Sequence, residues 1–311
     1  MRSGVPQGSV LGPTLFAMYV DDLDDLCPDN CTIFKFADDT KVLCEGAADR
    51  RAGQLQESIN AIATWCDKWR MPFNVSKTRV MQFCDRRDNC RTEATYIING
   101  TSIEWSELEK DLGVYIDSRL SFDEHVVRTV NKGMRLVGWV ARVFRTRKAS
   151  VLLPVYKAVI RPTIEYASVV WSPMKKVQIA KTERVQRSFT KILGGLKQLT
   201  YTQRLSVLNL ESLCFRRNYN DLVAVRNVLI GDISARTQLF RLMNEGNAPY
   251  RGHQYKLYKP RFTTEVRKCF FCERVVNSWN SLPCEVVVAI MSKKFFKLLR
   301  DHLYSLRDTS Q

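Results

Sequence analysis

Asp38 and Asp39 stand side by side between two short apolar runs, residues 32–37 and 40–44. Those runs are rich in β-branched and aromatic types, and aspartate tolerates the backbone angles of a tight turn. The pattern predicts a β-hairpin with both carboxylates at its bend. Two like charges held at adjacent positions repel unless a cation lies between them, and a divalent ion that prefers oxygen ligands, such as Mg²⁺, removes the conflict. Asp38 is therefore the candidate metal ligand, with Asp39 in a lesser supporting role. A solvated turn is the plain alternative, since aspartate is a common turn residue. A second motif, Gly4-Val5-Pro6-Gln7-Gly8-Ser9, lies upstream. Glycines on both sides of Gln7 let the backbone lie close to a flat ligand, and Pro6 fixes the loop before a helix expected from about Ser9. The plain alternative here is a helix-entry loop.

In this order, Ser3 through Pro13 and Phe36-Ala37-Asp38-Asp39-Thr40 resemble the reverse transcriptases of non-LTR (LINE-like, jockey-type) retrotransposons. The first string is similar to that family's nucleotide-pocket motif, the second to its catalytic turn. The resemblance implies that Pro6, Gln7 and Gly8 line the nucleotide pocket and that Asp38 and Asp39 are catalytic. The ancestral reaction is Mg²⁺-dependent, RNA-templated addition of deoxynucleotides to a DNA primer, with two ions clamping the attacking 3′-oxygen and the leaving pyrophosphate. Lys77, in Phe73-Asn74-Val75-Ser76-Lys77-Thr78, occupies the place of a family lysine near the triphosphate. Its flexible ammonium suits protonation of pyrophosphate, the alternative being a surface lysine in a loop. Leu112-Gly113-Val114 matches the primer grip, unless it is a buried strand without nucleic-acid contacts. Tyr19-Val20-Asp21-Asp22 copies the string of retroviral enzymes, but it ends an apolar helical run and reads as a solvated helix terminus. The family also carries another catalytic aspartate on an upstream strand, and no segment before Ser3 of this sequence supplies it. The expectation is little or no polymerase activity for the isolated chain, with weak metal binding at Asp38.

Several elements must position these groups. Residues 50–71 read as one helix, with Leu55, Ile59, Ile62, Cys66 and Trp69 on a face and Pro72 ending it. A strand is expected over Arg79–Phe83. Asn99-Gly100 between apolar runs predicts a two-residue hairpin, and Leu112–Asp117 a short strand. Ser121 and Glu124 have the spacing of a capping box. The run that follows, to about Thr146, places Val126, Val130, Met134, Val137 and Ala141 on one face. Arg128, Lys132, Arg135, Arg142 and Arg145 fall largely elsewhere, as a basic thumb helix that would track a duplex backbone. Helices are expected to continue with a break at Pro162, and Tyr166 and Trp171 read as core aromatics.

The chain has 311 residues and a net charge of +16. Residues 1–49 hold 3 basic and 9 acidic side chains (−6), residues 50–150 hold 18 and 12 (+6), and residues 151–311 hold 27 and 11 (+16). Acid at one end suits metals, and base over the remainder suits phosphate backbones. Ten scattered cysteines form no disulfide framework, so reduced thiols in a nuclear or cytoplasmic setting are expected, not secretion. Cys269, Cys272, Cys284 and His302 can be forced into a zinc pattern, but none is expected to bind zinc. There is no signal peptide and no run long enough for a membrane span. The reading is an α+β chain: a partial palm over 1–120, a helical thumb over 121–200 and a basic helical region over 201–311. It remains open to two alternatives, a non-catalytic RNA- or DNA-binding protein and a decayed transposon remnant.

Overall fold

The computed structural model describes residues 8–46, 48–83, 94–231, 233–243 and 252–308. The chain is α+β and divides into two compact units, Met1–Glu109 and Lys110–Gln311.

In the first unit, α1 (Gly12–Tyr19) leads through a 3₁₀ turn, Asp21–Leu26, to β1 (Cys31–Phe36) and β2 (Asp39–Cys44). These strands pair antiparallel from Cys31 opposite Cys44 to Phe36 opposite Asp39. α2 (Ala48–Trp69) follows, with Ile59, Ile62, Ala63 and Trp65 buried. Ile62 and Trp65 pack with Val20 and Leu23, and the half-buried Ile33 and Val42 of the hairpin close this cluster. Ile59 joins Val80, Tyr96, Ile98 and Ile103 in a second cluster. The short strands β3 (Arg79–Val80), β4 (Ile97–Ile98), β5 (Thr101–Ser102) and β6 (Glu104–Trp105) make a parallel β3–β6 pair and an antiparallel β4–β5 hairpin. That hairpin turns at Asn99 (φ 48°) and Gly100 (φ 79°), the left-handed pair its sequence requires. The strand expected over Arg79–Phe83 is paired only at its first two residues. Each sheet among the described residues has two strands.

The second unit begins within a hairpin of β7 (Leu108–Asp111) and β8 (Val114–Asp117). α3 (Asp123–Val143) buries Val126, Val130 and Val137 as its periodicity requires, but Gly133 and Val140 complete the buried face, and Met134 and Ala141, expected on it, are only half-buried. The expected capping box does not form. The helix begins at Asp123 after Phe122 in the left-handed conformation, and Ser121 Oγ accepts from the Asp123 amide (3.2 Å). Asp117 organises the entry instead, its carboxylate accepting the amides of Arg119, Ser121 and Phe122, while Glu124 pairs with Arg128.

No break occurs at Pro162. α4 (Ala149–Val155), a π-helical turn (Tyr156–Ile160) and α5 (Arg161–Glu165) run on without interruption. The cause is legible in the buried positions Leu152, Tyr156, Ile160 and Ile164, a strict four-residue repeat. In an α-helix each four-residue step overshoots a full turn by about 40°, so three steps would rotate Ile164 out of the core. A wider π turn absorbs that drift, and it precedes Pro162, which cannot donate a backbone bond. α6 (Ser168–Trp171) and α7 (Lys176–Lys191) complete this core around Trp171, Val185 and Phe189. α8 (Tyr201–Val207), whose capping box of Thr200 and Gln203 does form, leads to α9 (Leu213–Ile230). A separate core joins Leu222 and Val225 of α9 to Val275, Trp279, Val287, Phe295 and Leu299. Its other elements are α10 (Ile233–Leu239), α11 (Glu265–Cys269), α12 (Phe271–Asn280), α13 (Cys284–Val288) and α14 (Lys294–Asp308). None of the described helices is long and apolar enough to cross a membrane.

Candidate active site and nucleic-acid interface

The carboxylate pair sits on a hairpin, as its flanking runs require. The two-residue turn is Ala37-Asp38, and Asp39 already begins β2 opposite Phe36. Ala37 (φ 51°), not an aspartate, takes the left-handed backbone position. Asp38 and Asp39 are both exposed. One face of the hairpin is pinned: Lys35 donates to the carbonyls of Val20 (2.9 Å) and Asp21 (3.2 Å) and pairs with Asp24 (3.0 Å). The opposite face leaves Phe34 at 51% and Phe36 at 61% exposure. At the open end, Cys31 and Cys44 are joined by a disulfide, contrary to the expectation of reduced thiols throughout. Counting two by two from the Phe36–Asp39 pair makes Cys31–Cys44 a non-hydrogen-bonded position, where facing Cα atoms come closest; here they are 4.2 Å apart. Register, which composition does not report, brought these two thiols together.

Asp38, in the turn, and Asp39, at the start of β2, supply hard oxygen donors of the kind a divalent cation accepts. Among the described residues no third carboxylate, histidine or cysteine joins them in a cluster. Lys77 is exposed at the end of a 3₁₀ turn (Val75–Lys77) and makes no ion pair among the described residues. Pro6 and Gln7 lie outside the described residues; Gly8 has a φ of 83° and open space around its α-carbon. Asp21 and Asp22 are exposed, yet Asp22 is not simply solvated: it accepts the Trp65 indole N–H (2.9 Å). Cys269 and Cys272 fall on the successive helices α11 and α12, the first exposed and the second half-buried.

In the second unit, Gly113 and four of the five basic residues singled out by sequence line one open groove, together with Tyr115, Trp139 and Tyr166. Arg128, Lys132, Arg135, Trp139 and Arg142 follow steps of four and three along α3, which puts them in a single stripe. Arg145 lies beyond the helix end and outside the groove. Arg128 is already engaged, bonded to Glu124 (2.6 Å) and stacked 4.4 Å from the Tyr115 ring centroid. Lys132, Arg135 and Arg142 make no ion pair among the described residues.

Leu112 (φ 43°) and Gly113 (φ 88°) form the β7–β8 turn at one end of the groove, and the strand expected from Leu112 begins only at Val114. Tyr166 holds this turn. Its hydroxyl donates to the Leu112 carbonyl (2.9 Å), and a Cβ at Gly113 would come within 3.0 Å of its ring. Tyr166 is 56% exposed, which overturns its assignment to the core, whereas Trp171 is buried and donates its indole N–H to the Tyr166 carbonyl (2.7 Å). His125 fastens β8 to α3. Its Nδ1 accepts the Tyr115 amide (3.2 Å), which makes the ring the Nε2–H tautomer and Nε2 the donor to Thr129 Oγ1 (3.3 Å). Burial holds its pKa down to about 4. The sequence alone gave no partner for His125, because the partner is a backbone amide.

Residues 1–117 match the reverse transcriptase (RNA-dependent DNA polymerase) family. Over 206 residues the chain is 27% identical to the RNA-directed DNA polymerase from mobile element jockey of Drosophila melanogaster, covering 63% of this chain. Over 272 residues it is 26% identical to the probable RNA-directed DNA polymerase from transposon BS of the same species, covering 81% of this chain. The chain is similar to the reverse transcriptases of non-LTR, LINE-like elements. It spans 22% of the jockey polymerase's length and 30% of the BS polymerase's. No solved structure matches it. The matched segment contains both the carboxylate hairpin and Gly113, while the basic stripe of α3 lies beyond it.

Proposed function

We propose that this chain contributes the carboxylate turn, nucleotide-pocket loop and thumb of an RNA-directed DNA polymerase. Its substrates are an RNA template, a DNA primer and deoxynucleotides. The observation that carries this reading is the exposed Asp38-Asp39 bend of a two-stranded hairpin within the family-matched segment. Asp38 is the metal ligand and Asp39 its neighbour. Asp38 would hold a divalent cation, Mg²⁺ by the chemistry of the donors, which would supply positive charge for an ionised 3′-hydroxyl and a departing pyrophosphate. In the reaction, the primer 3′-hydroxyl gives up its proton to solvent, its oxygen forms a bond to the α-phosphorus, and the bond from that phosphorus to the bridging oxygen of the pyrophosphate breaks. Lys77 gives a proton to the pyrophosphate, and Pro6, Gln7 and Gly8 pack against the incoming nucleotide. Leu112, Gly113 and Val114 present backbone to the primer end, and residues 121–200 supply the thumb.

With Asp38 alone proposed as ligand, metal binding by this chain is weak and its own polymerase activity low. The test is RNA-templated primer extension with Mg²⁺, using the chain as it stands and the chain within any longer in-frame polypeptide of its transcript. Extension abolished by Asp38→Ala supports the reading. Extension that survives Asp38→Ala refutes it. Lys132, Arg135 and Arg142, without an ion pair among the described residues, favour a second reading, a non-catalytic nucleic-acid binder, which would show salt-sensitive binding with no extension in any context.

A further inference from the structure

The groove beside α3 has two chemically different walls. One carries the cations of the α3 stripe, of which Lys132, Arg135 and Arg142 lack a counter-ion among the described residues. The other, formed by Ala158, Val159, Pro162 and Thr163, bears no charge. Each wall also presents an aromatic ring to solvent, Trp139 at 44% exposure and Tyr166 at 56%. Tyr166 is immobilised at both ends, by its hydroxyl bond to Leu112 and by the Trp171 indole on its carbonyl.

A duplex has no use for this combination. Its base faces are hidden in the stack, so it offers phosphates to a cationic wall and cannot occupy the rings or the uncharged side. A single strand fits both, with phosphates along one side and unstacked bases on aromatic platforms. We propose that the groove is a binding site for single-stranded nucleic acid, with Trp139 and Tyr166 as base-stacking platforms and Lys132, Arg135 and Arg142 as phosphate contacts. This departs from the expectation that the helix tracks a duplex, and it rests on the nucleic-acid reading given above.

The test is fluorescence anisotropy of the full chain with a labelled single-stranded oligonucleotide and the blunt duplex of the same sequence, over a salt series. The three phosphate contacts give a slope of log K against log salt of about −2 for the single strand. Trp139→Ala and Tyr166→Ala are each expected to weaken single-strand binding roughly tenfold, within the range of one base stack, and to leave duplex binding unchanged. Lys132→Ala weakens both ligands and lowers the single-strand slope by about 0.7. Tyr166→Phe, which keeps the ring and loses the bond to Leu112, retains the single-strand preference; if it falls as far as Tyr166→Ala, the tyrosine acts through the turn and the stacking assignment fails. Because both rings are exposed, unchanged thermal melts separate lost contacts from lost folding. Duplex binding as tight as single-strand binding, or an unaffected Trp139→Ala, overturns the proposal and leaves the polymerase reading standing. Absence of binding to either ligand at low salt overturns both.

Discussion

His125 predicts how the second unit responds to acid. Its ring is buried between β8 and α3, with Nδ1 on the Tyr115 amide, Nε2 near Thr129 and an edge contact to Trp171 at 4.8 Å. The folded pKa is held at about 4, against 6.5 for an unconstrained histidine. Between those values the unfolded chain takes up a proton that the folded chain refuses. The contribution to stability is therefore complete above about pH 6.5 and is lost as pH falls towards 4. The full shift corresponds to at most about 3 kcal/mol, and about 2 kcal/mol is gone by pH 5. His125→Asn places an amide oxygen near the position of Nδ1, keeps an acceptor for Tyr115 and cannot titrate. It should cost about 1–2 kcal/mol at pH 7 through the lost Thr129 bond and ring packing. Urea unfolding at pH 7 and pH 5 should then show a smaller pH-dependent loss for the variant than for the natural chain. Proton NMR of the His125 Hε1 resonance should show no titration above about pH 5. A midpoint near 6.5, or identical pH dependence in the variant, would refute the reasoning.

Gly133 lies where α3 meets α5 and α7. A Cβ there would stand 2.8 Å from Ile164 Cγ2 and 3.0 Å from Val185 Cγ1, so Gly133→Val should lower stability by about 2–3 kcal/mol in urea unfolding. Asp221 and Arg274 form a buried bidentate pair at 2.9 and 3.0 Å, and Asp221→Asn should cost roughly 3–5 kcal/mol in the same measurement by leaving the guanidinium uncompensated. Cleaving the Cys31–Cys44 bond reopens a segment of sequence separation 13 and should destabilise the hairpin by about 3 kcal/mol. Amide exchange across residues 31–44 should accelerate in reductant, and Cys44→Ser should exchange equally fast with or without it.

The local features of the fold were legible wherever one residue or one period decides them. Asn99-Gly100 specified its turn, the apolar repeat of α3 specified three of its buried valines, and the runs around Asp38-Asp39 specified strands. Features set by partners distant in sequence were not. Nor was the local competition at the head of α3, where Asp117 accepts the Ser121 amide that the expected capping box would have given to Glu124. Tyr166 reads as core because its neighbours are apolar, but its hydroxyl is drawn to a carbonyl 54 positions away. The basic stripe was visible in the spacing of α3, and Trp139 belonged to it by the same arithmetic. What sequence could not show was the uncharged wall opposite. That wall depends on a helix that Pro162 was expected to interrupt.

The wide turn at Tyr156–Ile160 marks the one place in that helix where chain length is negotiable. Losing a residue there would convert buried spacings of four, four and four into four, three and four, which an ordinary α-helix satisfies with Leu152 and the isoleucine now numbered 164 still facing inward. A deletion a turn earlier or later would instead swing one flank by about 100°, carrying Tyr166 away from Leu112. Related chains that differ by a single gap in this stretch should therefore keep the tyrosine in place, with the gap confined to those five positions.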